Sequence, residues 1–160
     1  MSVLARDIQN SSPYDSVLLA ATLGSGLDGS KSLRLGARVP LSVRKHRDRG
    51  RCLISLVDLP GGVTIEIAPV QVLPPEIVPL INSIRSNFIT WRRPHSPETL
   101  AMPLGLLGLC NHSDYPNANI RMVYSQRLVC LLSRRPIRVG NEITINYREP
   151  ARRYYRRPGT

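Results

Sequence analysis

A chain of 160 residues with 42% hydrophobic content suits one domain with a real core and excludes a chain too polar to pack. No apolar run approaches the length of a membrane span, and Arg6 and Asp7 interrupt the only short apolar start, which argues against a signal peptide. The net charge of +11 directs attention to polyanionic partners.

Residues 1–45 are rich in Ser, Gly and Leu and show no sustained period, so an extended arm is expected there. Asp7, Asp15 and Asp28 are acids where a transit peptide usually has none. The pattern sharpens from Arg49. The run CLISLV (52–57) is β-rich, DLPGG (58–62) is turn-like and VTIEI (63–67) alternates as a strand does, which together read as a hairpin. Ile77, Leu80, Ile81, Ile84 and Phe88 then recur at helical spacing, placing a helix within about 76–90. Pro79 is tolerable there only in the first turn. A mostly apolar stretch runs from Ala101 to Cys110, with Leu104, Leu106, Leu107 and Leu109 expected in the core, and it stops abruptly at Asn111-His112-Ser113. Strands are expected at 120–124, at 128–132 after a short Ser-Gln-Arg connection, and at 143–147 after a turn-bearing loop over 134–142. The expected fold is mostly β with one or two short helices. Three widely spaced cysteines, Cys52, Cys110 and Cys130, have no zinc-site spacing and cannot all pair. A reducing intracellular compartment and no metal site are expected.

Four pieces carry the chemistry: RGRC (49–52), DLPGGVTIE (58–66), CNHSDYPNA (110–118) and GNEITINY (140–147). In this order they resemble the SET domain, the fold of most protein-lysine methyltransferases. The resemblance covers about residues 47–149. Its specificity lies in the middle and ending motifs as a pair, with Asn111 and Tyr147 separated by 36 positions. It implies a SET-like β-fold in which the last strand passes through a loop of the preceding chain, a C-terminal pseudoknot. The domain would span 46–149, between the arm over 1–45 and an Arg/Tyr-rich tail over 150–160.

The resemblance also implies a cofactor, S-adenosylmethionine, and a protein-lysine substrate. Gly50 would be among the cofactor-binding residues, Asn111 would hold the cofactor by its amide, and His112 would contribute mainly through its backbone. Tyr147 would be the catalytic residue. Glu142 and Gly140 read as structural parts of the turn before the last strand. Trp91 and Phe88 are candidates for channel or cofactor contact, or for packing. Tyr154 and Tyr155 could stack on adenine or on nucleic-acid bases. Taken alone, Asn111, Ser113, Asn117 and Asn119 could instead cap a turn with local side-chain bonds.

Two positions depart from the family pattern. The second glycine of the first motif is Cys52, whose side chain would narrow the cofactor site. A second channel tyrosine, eight residues after the histidine, is replaced by Ile120. The cysteines of a zinc-binding post-SET segment are absent.

The charge is clustered. Residues 34–51 carry +6 and residues 148–160 carry +4, against −1 over 1–33 and +2 over 52–147. Arg outnumbers Lys by 20 to 2, and arginine's planar fork suits phosphate. Arg44, Lys45, Arg47 and Arg49 on one flank, with Arg152, Arg153, Arg156 and Arg157 on the other, are candidate nucleic-acid ligands. Such a basic enzyme would repel a lysine-rich tail unless acids such as Asp114, Glu66 and Glu98 lined its groove. Three readings stand side by side: a minimal S-adenosylmethionine-dependent lysine methyltransferase associated with nucleoprotein, a catalytically inactive SET-fold subunit of a ribonucleoprotein such as a mitochondrial ribosome, and an unrelated nucleic-acid-binding module. A mitochondrial or nuclear location would suit them.

Overall fold

The computed structural model describes residues 23–25, 31–92 and 99–147. Glu98, Arg152, Arg153, Tyr154, Tyr155, Arg156 and Arg157 lie outside them. Among the described residues the fold is mostly β, as expected. Strands β1 (Leu23–Ser25) and β2 (Lys31–Leu33) form a small antiparallel pair. Strand β3 (Gly36–Ala37) joins the main sheet, and β4 (Leu41–His46) pairs antiparallel with β5 (Gly50–Ser55). The spine is β6 (Thr64–Val72). Around it lie β7 (Ile89–Trp91), β8 (Thr99–Pro103), β10 (Ala118–Val123) and β11 (Leu128–Ser133), in the order β10-β11-β6-β8-β7 with β3 also on β6. The short strands β9 (Asn111–His112) and β12 (Thr144–Ile145) pair parallel with each other.

Several expectations need correction. The hairpin expected over 52–67 does not form: β5 pairs with β4, and β6 pairs with β3, β8 and β11. The Asp58–Gly62 turn instead carries the chain between two sheets, and Leu59 bridges to Ile137 with reciprocal backbone bonds of 2.8 Å. The boundary drawn between arm and domain at 45/46 falls inside β4. That strand was hidden by its sequence, since Val43, Arg44 and Lys45 are all exposed. Strand β6 runs past Pro69 instead of ending near 67. Proline lacks the ladder N–H, but its carbonyl is used, accepting from Leu104 N at 2.9 Å. The helix expected over 76–90 is present as a 3-10 run over Pro75–Asn87. Pro79 cannot donate to the carbonyl one turn back, which weakens an α-helical ladder there. The last strand is shorter than expected, only Thr144–Ile145.

The alternation in β6 is broken by a bulge. Leu131 faces Glu66, but the next residue, Leu132, faces Thr64. The extra residue, Ile65, therefore shares a core with Ala68 and Val70, while Ile67 turns to the opposite side with Val123, Leu128 and Cys130. Both faces are covered. The larger core joins Leu53, Ile65, Leu107, Val129, Leu131, Ile137 and Ile143. Trp91 is buried there and meets Tyr124 edge-on at 4.7 Å, so it packs. Ile120 is half-buried against the same core. Of the leucines before Asn111, Leu107 is buried, Leu106 and Leu109 are half-buried, and Leu104 is exposed, contrary to expectation.

Glu66 explains how an apolar stretch is led to a polar site. Its buried carboxylate accepts from Leu106 N at 2.8 Å and from Leu107 N at 2.6 Å. These donors open the 3-10 turn Leu106–Leu109 that feeds β9. Glu66 is thus spent on the backbone and does not line a substrate groove. Gly105 makes the approach possible, because a Cβ there would sit 2.7 Å from Ala68 Cβ and 2.8 Å from Glu66 Oε1. We expect Glu66→Ala to lower unfolding free energy by about 2–5 kcal/mol, since two buried N–H groups lose a charged acceptor. Gly105→Ala should cost about 1–3 kcal/mol through overpacking. Urea unfolding checks both, and wild-type stability in either variant would contradict the cap.

Candidate active site

The site is assembled where β9 and β12 meet. Thr144 pairs with Asn111 and Ile145 with His112. Ser113 N donates to Ile145 O at 2.9 Å, and Ile143 N donates to Leu53 O at 2.8 Å. Asn117 clasps the same segment: its Nδ2 donates to Glu142 O at 2.8 Å and its Oδ1 accepts from Thr144 N at 2.9 Å. Asn117 is therefore a long-range clamp rather than a local turn cap. The segment over 142–147 lies against the loop over 110–118, as the C-terminal pseudoknot requires. Its burial is deep at Ile143 and Ile145 and relaxes at Tyr147.

Tyr147 is 52% exposed and is fixed at three points. Its hydroxyl donates to Cys110 O at 2.9 Å, its backbone N–H donates to His112 Nδ1 at 3.2 Å, and its ring lies 5.3 Å from the His112 ring. His112 Nδ1 accepts a proton bond, so that nitrogen carries no hydrogen. The other nitrogen, Nε2, faces Asp114 Oδ1 at 3.2 Å and takes the donor role. Beyond the backbone role expected of it, His112 thus supports Tyr147 with its side chain.

Asn111 uses both amide hydrogens. Nδ2 donates to Arg51 O at 3.1 Å and to Glu142 Oε1 at 2.7 Å. Glu142, in turn, forms an ion pair with Arg49. Sequence reasoning missed this link, because the partners stand 93 positions apart and nothing local marks them. Gly50 follows Arg49 in a left-handed conformation, φ 77°, which suits glycine. It closes the β4–β5 turn in which His46 Nδ1 accepts from Asp48 N and Arg49 N. Cys52 is buried, and its Sγ lies 3.4 Å from Arg44 O, so its sulfur is held within the hairpin. Arg44, Lys45 and Arg47 are exposed on that hairpin, while Arg49 is engaged with Glu142. Phe88 is half-buried.

Burial keeps the Cys110 thiol and the Tyr147 phenol protonated. Burial pushes the Cys110 thiol far above its usual range, with Glu66 and Glu142 adding to the effect. Cys110 therefore serves through its carbonyl and not as a nucleophile. Desolvation, then Cys110 and Glu142, raises the Tyr147 phenol above its usual value. It stays a neutral donor at neutral pH.

The residues present fit a cofactor such as S-adenosylmethionine in one specific respect. With both Asn111 hydrogens spent, its remaining capacity is an oxygen that accepts, which suits the N–H groups of an amino-acid or adenine moiety. Gly50 adds no side chain at the neighbouring turn, where a Cβ would meet nothing within 4 Å.

The raised phenol gives a pH signature. A group whose folded pKa lies above its unfolded value of 10.0 contributes stability fully present below that value. The contribution is lost as pH climbs through the folded pKa. Ultraviolet titration of wild type against Tyr147→Phe should assign to Tyr147 a tyrosine that ionises later than a model phenol. A difference curve centred at or below 10 would contradict the raised phenol.

Comparison with known proteins agrees with this architecture. The family model of the SET domain matches residues 50–148. A crystal structure of a candidate histone methyltransferase from Plasmodium falciparum superposes with a TM-score of 0.55 at 24% identity, covering 70% of this chain and 96% of that one. Identity at that level speaks for the fold alone. No curated protein matches the chain. The family model matches well over half of the chain, and the chain belongs to the SET domain family.

Proposed function

We propose that this chain is an S-adenosylmethionine-dependent protein-lysine N-methyltransferase. The observation that carries the reading is the placement of Tyr147. Its hydroxyl is bonded to Cys110 O at 2.9 Å beside the Asn111-His112 strand. SET methyltransferases use S-adenosylmethionine, which when bound supplies an electrophilic methyl group on a sulfonium.

This chain's residues would bind and orient. Asn111 would meet the cofactor through its amide oxygen, with the His112 backbone and the Gly50 turn beside it. The Tyr147 hydrogen is spent on Cys110 O, so the phenol oxygen presents lone pairs outward. That oxygen would accept an N–H of the substrate amine and aim the amine's own lone pair at the methyl carbon. The amine must be neutral to react, although its unperturbed pKa is about 10.4. A dry channel formed on substrate binding and the cofactor's cation would both favour the neutral form. Positioning supplies most of the catalysis, without a covalent intermediate or a strong base.

Tyr147→Phe should lower methyl transfer by about 100-fold or more, as expected when an orienting group is lost, with cofactor affinity nearly intact. Asn111→Ala should weaken the cofactor itself. Radiolabelled methyl transfer and calorimetric titration separate the two effects. The description of the Plasmodium neighbour makes histone tails a natural first substrate panel. A Tyr147→Phe protein as active as wild type would sink the role assigned to the hydroxyl.

A second reading is favoured by the exposed Arg44, Lys45 and Arg47 on one hairpin and by the four tail arginines. In it the same fold binds RNA as an inactive structural subunit of a ribonucleoprotein, a mitochondrial ribosome being one setting. The expected log–log salt slope is roughly −0.7 to −0.9 per phosphate contact. Replacing the four tail arginines should then flatten the slope by about three units, and truncation of residues 148–160 should do at least as much. RNA affinity unchanged by that truncation would leave the tail without this role.

A further inference from the structure

The sequence reads Glu142 as a turn residue and Arg49 as a phosphate ligand, yet the two pair and hold the residue that would meet the cofactor. We propose that Glu142, neutralised by Arg49, is a positioning residue that locks the Asn111 amide with its oxygen turned toward the ligand. The proposal rests on the methyltransferase reading.

The argument begins with donor count. A primary amide has two N–H hydrogens and one acceptor oxygen. Both hydrogens of Asn111 point at acceptors, Glu142 Oε1 at 2.7 Å and Arg51 O at 3.1 Å. A half-turn of the amide would press its oxygen against a carboxylate and a carbonyl at once. Only one orientation is compatible with both neighbours, and in that orientation Asn111 can only accept from a ligand. The matching ligand group is an N–H donor.

Glu142 is the stronger restraint because its acceptor is ionised. Its side chain is 17% exposed, so a bare carboxylate there would lose much of its hydration. Arg49 supplies the compensating charge from the β4–β5 turn. The carboxylate's own position is set by the backbone. Glu142 bridges Ile54, and its carbonyl accepts from Asn117 Nδ2 at 2.8 Å. The chain thus spends a charged pair and a clamp on one uncharged side chain. If Glu142 only stabilised the turn, an acceptor aimed at Asn111 would be unnecessary.

The test is a double-mutant cycle on the full chain, with S-adenosylmethionine affinity read by calorimetry. Glu142→Ala should weaken binding about 10- to 100-fold, the loss expected for a hydrogen bond to a charged group. In an Asn111→Ala background the same change should matter less than about 3-fold, because Glu142 acts through Asn111. Additive losses would overturn the proposal. A spectroscopic readout is independent of the cofactor: the Asn111 side-chain amide in ¹H–¹⁵N spectra. The proton facing Glu142 should move upfield in Glu142→Ala and stay nearer its wild-type position in Glu142→Gln, which keeps an acceptor. An Asn111 amide signal unchanged by Glu142→Ala would also overturn it. Should Glu142→Ala fail to fold, Glu142→Gln and Arg49→Gln carry the same cycle, with partial losses that vanish when Asn111 is Ala. Wild type that binds no S-adenosylmethionine would remove the methyltransferase reading, and the amide signal alone would then decide whether the lock exists.

Discussion

The parallel pairing of Asn111–His112 with Thr144–Ile145 is the constraint on which the rest of the site depends. Two residues against two is a meagre ladder, and it gains strength from its surroundings. Asn117 ties Glu142 and Thr144 with its side chain, Leu53 takes the Ile143 N–H, and the buried side chains of Ile143 and Ile145 enter the main core. Hydrophobic burial supplies the energy and the side-chain clamp supplies the register. Without that register Tyr147 would not reach Cys110 O, nor Glu142 reach Asn111.

A second constraint delivers the other half of the site. The chain must pass from the core at Leu107 and Cys110 to the half-buried Asn111 within one short turn. The buried Glu66 carboxylate makes that exit possible by accepting the two backbone N–H groups that open the turn. An acid in the middle of a buried strand is costly unless it is saturated with donors. Here it is saturated by the loop that feeds the site, so the stability of the core and the geometry of the site share one residue. Gly105 is the steric condition for that contact.

Much of this was legible in the sequence where the signal is local. Strands β10 and β11 fell where alternation and the Ser-Gln-Arg connection put them. The paired motifs around Asn111 and Tyr147 identified the family, because an abrupt change from apolar to Asn-His-Ser has few structural uses. What escaped notice depends on distant partners. Strand β4 lies on an exposed edge, so its Arg-Lys-His run looked like an unstructured arm. The bulge at Ile65 breaks the period that alternation relies on. Leu104 belongs to an apolar stretch yet faces solvent, because Pro69 and Gly105 fix the backbone there. The partnership of Arg49 with Glu142 spans most of the domain, and no spacing rule reaches that far. Arg49, read as phosphate-seeking, is instead paired with Glu142 beside Asn111.

The central claim is that this SET fold holds a working cofactor site built on Asn111 and completed by Tyr147. Calorimetric titration of the purified 160-residue chain with S-adenosylmethionine tests it most directly. The account predicts saturable one-to-one binding, displaced by S-adenosylhomocysteine. Complete absence of binding by a protein shown to be folded would contradict it and leave the fold to serve as a scaffold.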